Sequence, residues 1–192
     1  MSSRVHSSFP NRASTSKMVD AVHYIVANMP VGQLGSTKLN KVLWEADVLH
    51  YRLTGESVTG EKAYTKLQHG PVPKGILGAI YVLVNQQKIV CRERKSGDGI
   101  RRDFRKLVDP DVSTFTPAEV QSLEKAIAKL SYMSASEASE RTHDALWRST
   151  PMKKDILIAA AAIEAVKPSD RTMRWAQGIV SSLPIVDDFC EA

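Results

Sequence analysis

The sequence predicts an α+β fold that is mainly helical, with a small antiparallel β-hairpin between an N-terminal and a C-terminal group of helices. Apolar residues recur at helical spacing in the segments 17–28, 36–54 and 73–84. Residues 88–108 instead form two extended segments around the turn-forming cluster Lys95-Ser96-Gly97-Asp98-Gly99. After Pro110 the pattern predicts helices only.

The first two predicted helices end at residues that stop helices. The first spans Lys17 to Asn28, before Pro30 and Gly32, and the second begins near Ser36 as N-cap and stops at Gly55. Apolar residues occupy two sides of the second helix, with Leu39, Val42, Leu43, Ala46, Leu49 and Leu53 on one and Trp44, Val48 and Tyr51 on the other. We therefore expect this helix to be central and buried on both sides.

The remaining elements follow from turn and cap signals. The segment His69-Gly70-Pro71-Val72-Pro73 predicts a rigid turn, with Pro73 in the first turn of a third helix, and Ala63 to Gln68 a further antiparallel strand. The segments Thr116–Glu119 and Ser134–Glu137 each match a capping box and predict two helix starts. Thr150-Pro151 predicts another helix ending before Pro168, and Ser169 caps a last one.

Composition points to one cytoplasmic domain of moderate size. The chain has 192 residues, a net charge of +5 and a pI near 9.2, which suits an acidic protein partner or a nucleic acid. Cys91 and Cys190 follow no secretory signal and are interpreted as reduced thiols, and no apolar run is long enough to span a membrane. We expect a mobile tail at 1–16, the domain at 17–150 and a helical extension at 151–192 that packs on the same core.

Catalytic, metal and cofactor sites are not predicted. Asp47 and His50 lie three positions apart on the second helix, but no nucleophile is tied to them, so we interpret them as a buried structural pair. The five histidines lack partners at zinc-binding spacings, and Gly97-Asp98-Gly99 lacks the pattern of a phosphate-binding loop. The sequence therefore favours a binding module over an enzyme.

Candidate partner contacts lie in three places. They are a polar stripe on the second helix, the corner before the third helix and the basic hairpin, with the residues Lys41, Glu45, Arg52, His69, Arg92, Arg94, Arg101 and Arg105. The hairpin could also be the wing of a winged-helix DNA reader. Against that, the third helix carries only Lys74 at its start where a recognition helix requires Arg, Asn or Gln.

Several motifs together resemble a known family. They are the run Lys38-Leu39-x-Lys41-x-Leu43-Trp44-x-Ala46-Asp47-x-x-His50, then Gly55, Gly60, Tyr64 and Gly70-Pro71-Val72, and later Met133-Ser134-Ala135 with His143 and Trp147. This combination resembles the Panacea domain, also described as the SocA-like, phage-associated antitoxin domain, over roughly Lys17 to Thr150. The chain departs from the family at Trp44, where Tyr is frequent, and at His69, where an aromatic residue is frequent.

The resemblance implies an antitoxin of a bacterial or phage toxin–antitoxin system that neutralises a cognate toxin protein by direct contact. It implies no enzymatic activity and no cofactor. Within it, Leu39, Leu43, Trp44, Asp47, His50, Gly55, Gly70, Pro71, His143 and Trp147 form the structural motif. Two alternatives stay open, a DNA-binding repressor of winged-helix type and an adaptor that delivers a toxin to a protease.

Overall fold

The structure, a computed structural model, describes residues 14–96 and 99–164 together with Arg171 and Arg174. Most of the predicted tail 1–16, the predicted last helix from Ser169 and the larger part of the extension 151–192 lie outside the described residues. The described helices are α1 (Ser16–Asn28), α2 (Ser36–Thr54), α3 (Ile76–Asn85), α4 (Pro117–Leu130), α5 (Ala135–Glu140), α6 (Ala145–Ser149) and α7 (Ile158–Glu164). The described strands are β1 (Ala63–Leu67), β2 (Gly70–Pro73), β3 (Ile89–Ser96), β4 (Gly99–Lys106) and β5 (Asp155–Leu157). The predicted α+β, mainly helical fold is confirmed.

Helix α2 runs through the centre of the fold. It contacts α1, α4, α5, α7, β2 and β4. Its C-terminus is capped by Gly55 at φ 81°, as predicted, whereas the N-cap is Gly35 and not Ser36, with no side-chain cap. Leu53 was expected on the apolar face but is 65% exposed, because it lies in the last turn, beyond the elements that pack on the helix. None of the described helices is long and apolar enough to cross a membrane.

A three-stranded antiparallel sheet with the order β2-β1-β5 lies beside α2. Three predictions are corrected here. The segment Gly70–Pro73 is an edge strand rather than a turn, a position where prolines without N–H groups are tolerated. Helix α3 therefore begins later, at Ile76 after Gly75. Residues 155–157, expected in a helix, form β5 because they pair with β1, so β1 belongs to this sheet and not to the hairpin.

The strands β3 and β4 form the predicted hairpin, which is a separate two-stranded sheet. Register places Cys91 opposite Phe104, and both side chains are buried together with Ile89. Side chains alternate between the two faces of a ribbon, so the neighbouring residues point away from the core. The hairpin is thus anchored by one apolar face at its base, and its other face is available to solvent.

Both predicted capping boxes are present. The Thr116 and Glu119 side chains each bond the other's backbone N–H at the start of α4. Ser134 and Glu137 do the same at the start of α5. These bonds satisfy N–H groups that a helix start otherwise leaves unpaired, which fixes where both helices begin.

Asp47 is a buried carboxylate that joins α2 to the sheet. It accepts hydrogen bonds from the Thr59 backbone N–H at 3.0 Å, the Thr59 hydroxyl at 2.6 Å and the Tyr64 hydroxyl at 2.7 Å. Burial raises the pKa of Asp47 to about 6, although these hydrogen bonds lower it. The predicted pair with His50 is wrong, since the His50 ring lies 3.4 Å from the Ser122 hydroxyl on α4. Both residues are buried, but they contact different elements.

We expect Asp47→Ala to lower the free energy of unfolding by about 3 kcal/mol, because it leaves the Thr59 and Tyr64 hydroxyls buried and unpaired. Urea unfolding at neutral pH measures this change. Asp20→Ala, a partly exposed site on α1, serves as the control and should cost at most about 0.5 kcal/mol. A loss below about 1 kcal/mol for Asp47→Ala would contradict the assigned role.

Candidate functional site: two grooves at the N-terminus of helix α2

A cavity of about 720 Å³, here called the apolar groove, lies between α2, the β1–β2 hairpin and α3. Its walls are formed mainly by the aliphatic side chains of Leu39, Val72, Pro73, Ile76, Leu77 and Ile80. Leu77 and Val72 are only partly buried, so they are accessible from the groove. A cavity of this volume is in the range of ligand sites, about 300–1,000 Å³.

The charged residues that line the apolar groove are all basic. Lys41, Lys74 and Arg102 line it together with His69, and no described lining residue is an Asp or Glu. His69 is exposed in the two-residue turn between β1 and β2, at the corner where the sequence predicted a partner contact. The groove therefore combines apolar walls with basic groups, of which Lys74 is ion-paired with Asp155 and Arg102 with Glu93.

Lys41 differs from the sequence-based expectation. It was predicted on a polar surface stripe, but it is 1% exposed, and its Nζ donates to the Pro71 carbonyl at 3.2 Å. Gly70, at φ 103°, packs directly over Lys41 and Thr142, and a Cβ added at Gly70 would collide with both side chains. Burial lowers the pKa of the Lys41 ammonium to about 7.

The other two residues of the predicted polar stripe, Glu45 and Arg52, lie in different surroundings. Glu45 is paired with Lys129 of α4, and Arg52 is exposed near the C-terminal end of α2, away from both grooves described here. The three stripe residues therefore do not form one continuous polar surface.

His143 and Trp147, motif residues of the sequence, lie behind the sheet. Their rings stack at 3.8 Å, and Lys66 Nζ lies 4.0 Å from the centre of the Trp147 ring. Lys66 Nζ also donates to the carbonyls of Trp147 at 2.6 Å and Thr150 at 2.7 Å, which satisfies the C-terminal end of α6. The sequence did not indicate Lys66, because a lysine in a strand normally faces solvent.

A second cavity of about 730 Å³, here called the polar groove, lies on the other side of the α2 N-terminus. It is bounded by β4 and by the segment leading into α5. Ser36, Thr37 and Arg102 line both grooves, so the two grooves adjoin each other. Two large apolar side chains stand at its edge, Tyr132 at 88% exposure and Ile100 at 61% exposure.

Four arginines of the hairpin share one face. The register pairs Arg92 with Asp103 and Arg94 with Arg101, and the alternation places Arg105 on the same face. Asp103 lies 3.5 Å from Arg94 and 3.0 Å from Arg101, whereas Arg92 and Arg105 form no ion pair with a described residue. All four arginines are exposed, and this surface is here called the basic face.

The hairpin arginines and His69, predicted as partner contacts from the sequence, are exposed in the structure, whereas the sequence reasoning did not consider Tyr132 or either groove. Tyr132 carried a weak signal, because it is a lone aromatic residue in the loop just before the capping box at Ser134. The grooves had none, since their walls come from α2, β1, β2, α3 and β4, whose mutual arrangement depends on long-range pairing.

The central α2, the two small antiparallel sheets and the two grooves define a mainly helical α+β protein whose concave surfaces are in the size range of ligand sites. A family model described as "Antitoxin SocA-like, Panacea domain" matches residues 39–148, which is more than half of the chain, and the chain belongs to this family. No curated protein and no solved structure gave a significant match. Membership in this antitoxin-like, generally non-enzymatic family indicates a role related to toxin–antitoxin systems, with a toxin as the general kind of partner.

The variant Lys41→Met tests the burial of Lys41 through the pH dependence of folding stability. Because the Lys41 pKa falls from its usual 10.5 to about 7 in the fold, the unfolded chain binds more protons between these values. The stability of the unmodified protein therefore rises with pH across this window, relative to the Met variant. We expect the stability difference between the two proteins to change by on the order of 3 kcal/mol between about pH 6 and pH 10.

Parallel urea unfolding of the two proteins at each pH measures the difference, in which the effects of all other titrating groups largely cancel. Lys125→Met, at an exposed site on α4, is the matched control for the loss of a lysine charge. A pH-independent difference for Lys41→Met would show that the ammonium is solvated.

Proposed function

We propose that the protein is an antitoxin that neutralises a separate toxin protein by direct binding, through the surface formed by the two grooves and the adjoining basic face. The observation that carries this proposal is that the two grooves meet at Ser36, Thr37 and Arg102. Together they provide two adjoining concave surfaces in a chain of the antitoxin-like family. Such a surface suits occlusion of a partner protein.

The chemistry of this surface is that of a protein interface. Specific interfaces bury about 800 Å² on each partner and depend on a few aromatic or Arg residues inside a polar rim. Tyr132 is an exposed aromatic side chain at the edge of the polar groove, and Arg101 and Arg102 lie beside it. Surface tyrosines supply large contact area with little loss of side-chain entropy, which makes Tyr132 the leading candidate for an anchor.

One observation favours nucleic acid as a second candidate partner. Arg92 and Arg105 of the basic face form no ion pair with a described residue. The burial of α3 argues against a winged-helix DNA-binding protein, which would need an exposed recognition helix. Every residue of α3 except Asn85 is buried or partly buried, and the helix contacts α1 and β3. A recognition helix presents polar side chains to the major groove. Binding of DNA would therefore depend on the basic face alone and would be sensitive to salt and weakly sequence-selective.

Purification of the tagged chain from its native cell after nuclease treatment, followed by mass spectrometry, tests the proposal. We expect one stoichiometric protein that is toxic when expressed alone and harmless when expressed with this chain. Recovery of DNA without such a protein would favour the nucleic-acid candidate. Loss of the toxin only while an active protease is present would favour an adaptor that delivers it for degradation.

Tyr132→Ala should weaken the toxin complex by about 2 kcal/mol, or roughly 30-fold, and impair neutralisation in cells, because it removes an interface anchor. Isothermal calorimetry with the purified toxin measures the change. Leu53→Ala is the matched control, since Leu53 is 65% exposed and lines neither groove. Equal affinities for Tyr132→Ala and the control would exclude Tyr132 from the interface.

The basic face should act mainly on the association rate. Replacing Arg92 and Arg105 with Gln removes two charges that no described acidic side chain neutralises, so association with an acidic toxin surface should slow by about 3- to 10-fold at low salt. Stopped-flow measurements from about 0.05 to 0.3 M ionic strength should show a flatter salt dependence for the variant. An association rate of the unmodified protein that does not depend on salt would show that the basic face does not steer association.

A further inference from the structure

We propose that the apolar groove binds a short peptide segment of the protein partner that carries apolar side chains next to one or more carboxylates. The inference rests on the proposed function only for the identity of the protein that supplies the segment. It makes the apolar groove a peptide-recognition site of defined chemistry, distinct from the polar groove and from the basic face.

The apolar part of this specificity follows from the groove walls. Leu77 and Ile80 of α3 face Leu39 of α2 across the cavity, with Val72 at the strand side. Walls of this kind gain free energy when they exclude water, at about 25 cal/mol per Å² of apolar area. Partly exposed Leu77 and Val72 give a peptide side chain a surface to cover without unfolding the domain.

The acidic part follows from charge. Lys74 and His69 lie at the exposed side of the groove, and Arg102 lies at its junction with the polar groove. Lys74 is ion-paired with Asp155 at 2.6 Å and Arg102 with Glu93 at 2.9 Å, but none of the described residues that line the cavity is an Asp or Glu. A peptide carboxylate at this rim would be attracted, whereas a basic peptide would be repelled.

Two polar side chains that line the groove also have unused hydrogen-bonding capacity. Lys41 Nζ makes one hydrogen bond to a described residue, and the Asn40 amide oxygen makes none. An unpaired buried acceptor costs about 1–3 kcal/mol. A peptide N–H that donated to the Asn40 amide oxygen would recover part of that cost.

The extent of the surface favours a polypeptide over a small molecule or a nucleic acid. The apolar groove adjoins the polar groove, which Tyr132 lines, so a polypeptide chain is long enough to contact both. No Phe, Tyr or Trp lines the apolar groove among the described residues, although single-stranded nucleic acids are held by stacking on such rings.

Selection of phage-displayed random peptides of about twelve residues on the full immobilised chain tests the proposal. We expect enrichment of sequences that combine Leu, Ile, Val or Phe with Asp or Glu. Enrichment of Lys- and Arg-rich sequences, or no enrichment over an uncoated surface, would overturn it. Because this experiment contains no toxin, its failure is independent of the outcome of the toxin co-purification.

Fluorescence polarisation with the best labelled peptide then locates the site. We expect at least 10-fold weaker binding for Leu77→Glu, which places a carboxylate on the groove wall, and unchanged binding for the matched control Leu53→Glu. Lys74→Glu should weaken binding at least 5-fold, with Lys125→Glu as its control, and this rim variant keeps the test valid if Leu77→Glu does not fold. Equal loss in variants and controls, or no loss in either groove variant, would place the peptide elsewhere.

Discussion

The burial of α2 along most of its length is the constraint on which the rest of the structure depends. A helix placed in this way carries polar side chains into the interior, and each of them needs a partner from another element. Asp47 receives hydrogen bonds from Thr59 and Tyr64, Lys41 donates to Pro71, and Lys38 Nζ donates to the Ser131 carbonyl at 3.2 Å. The polar residues of the helix therefore fix the positions of the sheet and of the segment before α5.

The same constraint places the candidate site. α2 is enclosed along most of its length, but its first turn lies between the β1–β2 hairpin, α3 and β4. Elements that converge on the end of a helix from different directions leave concave spaces between them. The two grooves are these spaces, and Gly70 keeps the sheet close enough to α2 to bury Lys41 beneath the groove.

The sequence predicted well what depends on neighbouring residues. The caps at Thr116 and Ser134, the termination at Gly55 and the hairpin are determined within a few positions, and all are present. It failed where a distant partner decides, as at Gly70–Pro73, where pairing with β1 makes a strand from a segment that resembles a turn. Lys41 failed for the same reason, because helical periodicity cannot show that a strand will cover one polar stripe. Lys41 is buried because β2 lies over it, and this long-range contact is not apparent from the sequence.

The basic face and the apolar groove are separate surfaces, so binding through them would have two distinct physical stages. The arginines of the basic face project from a ribbon that touches the core at its base, so they remain hydrated and act at long range, where salt screens them. The groove walls act only after water is excluded, and they determine how long a complex persists rather than how quickly it forms. A change in the hairpin could therefore retune the rate of capture without altering what the apolar groove recognises, because the two surfaces share no residue.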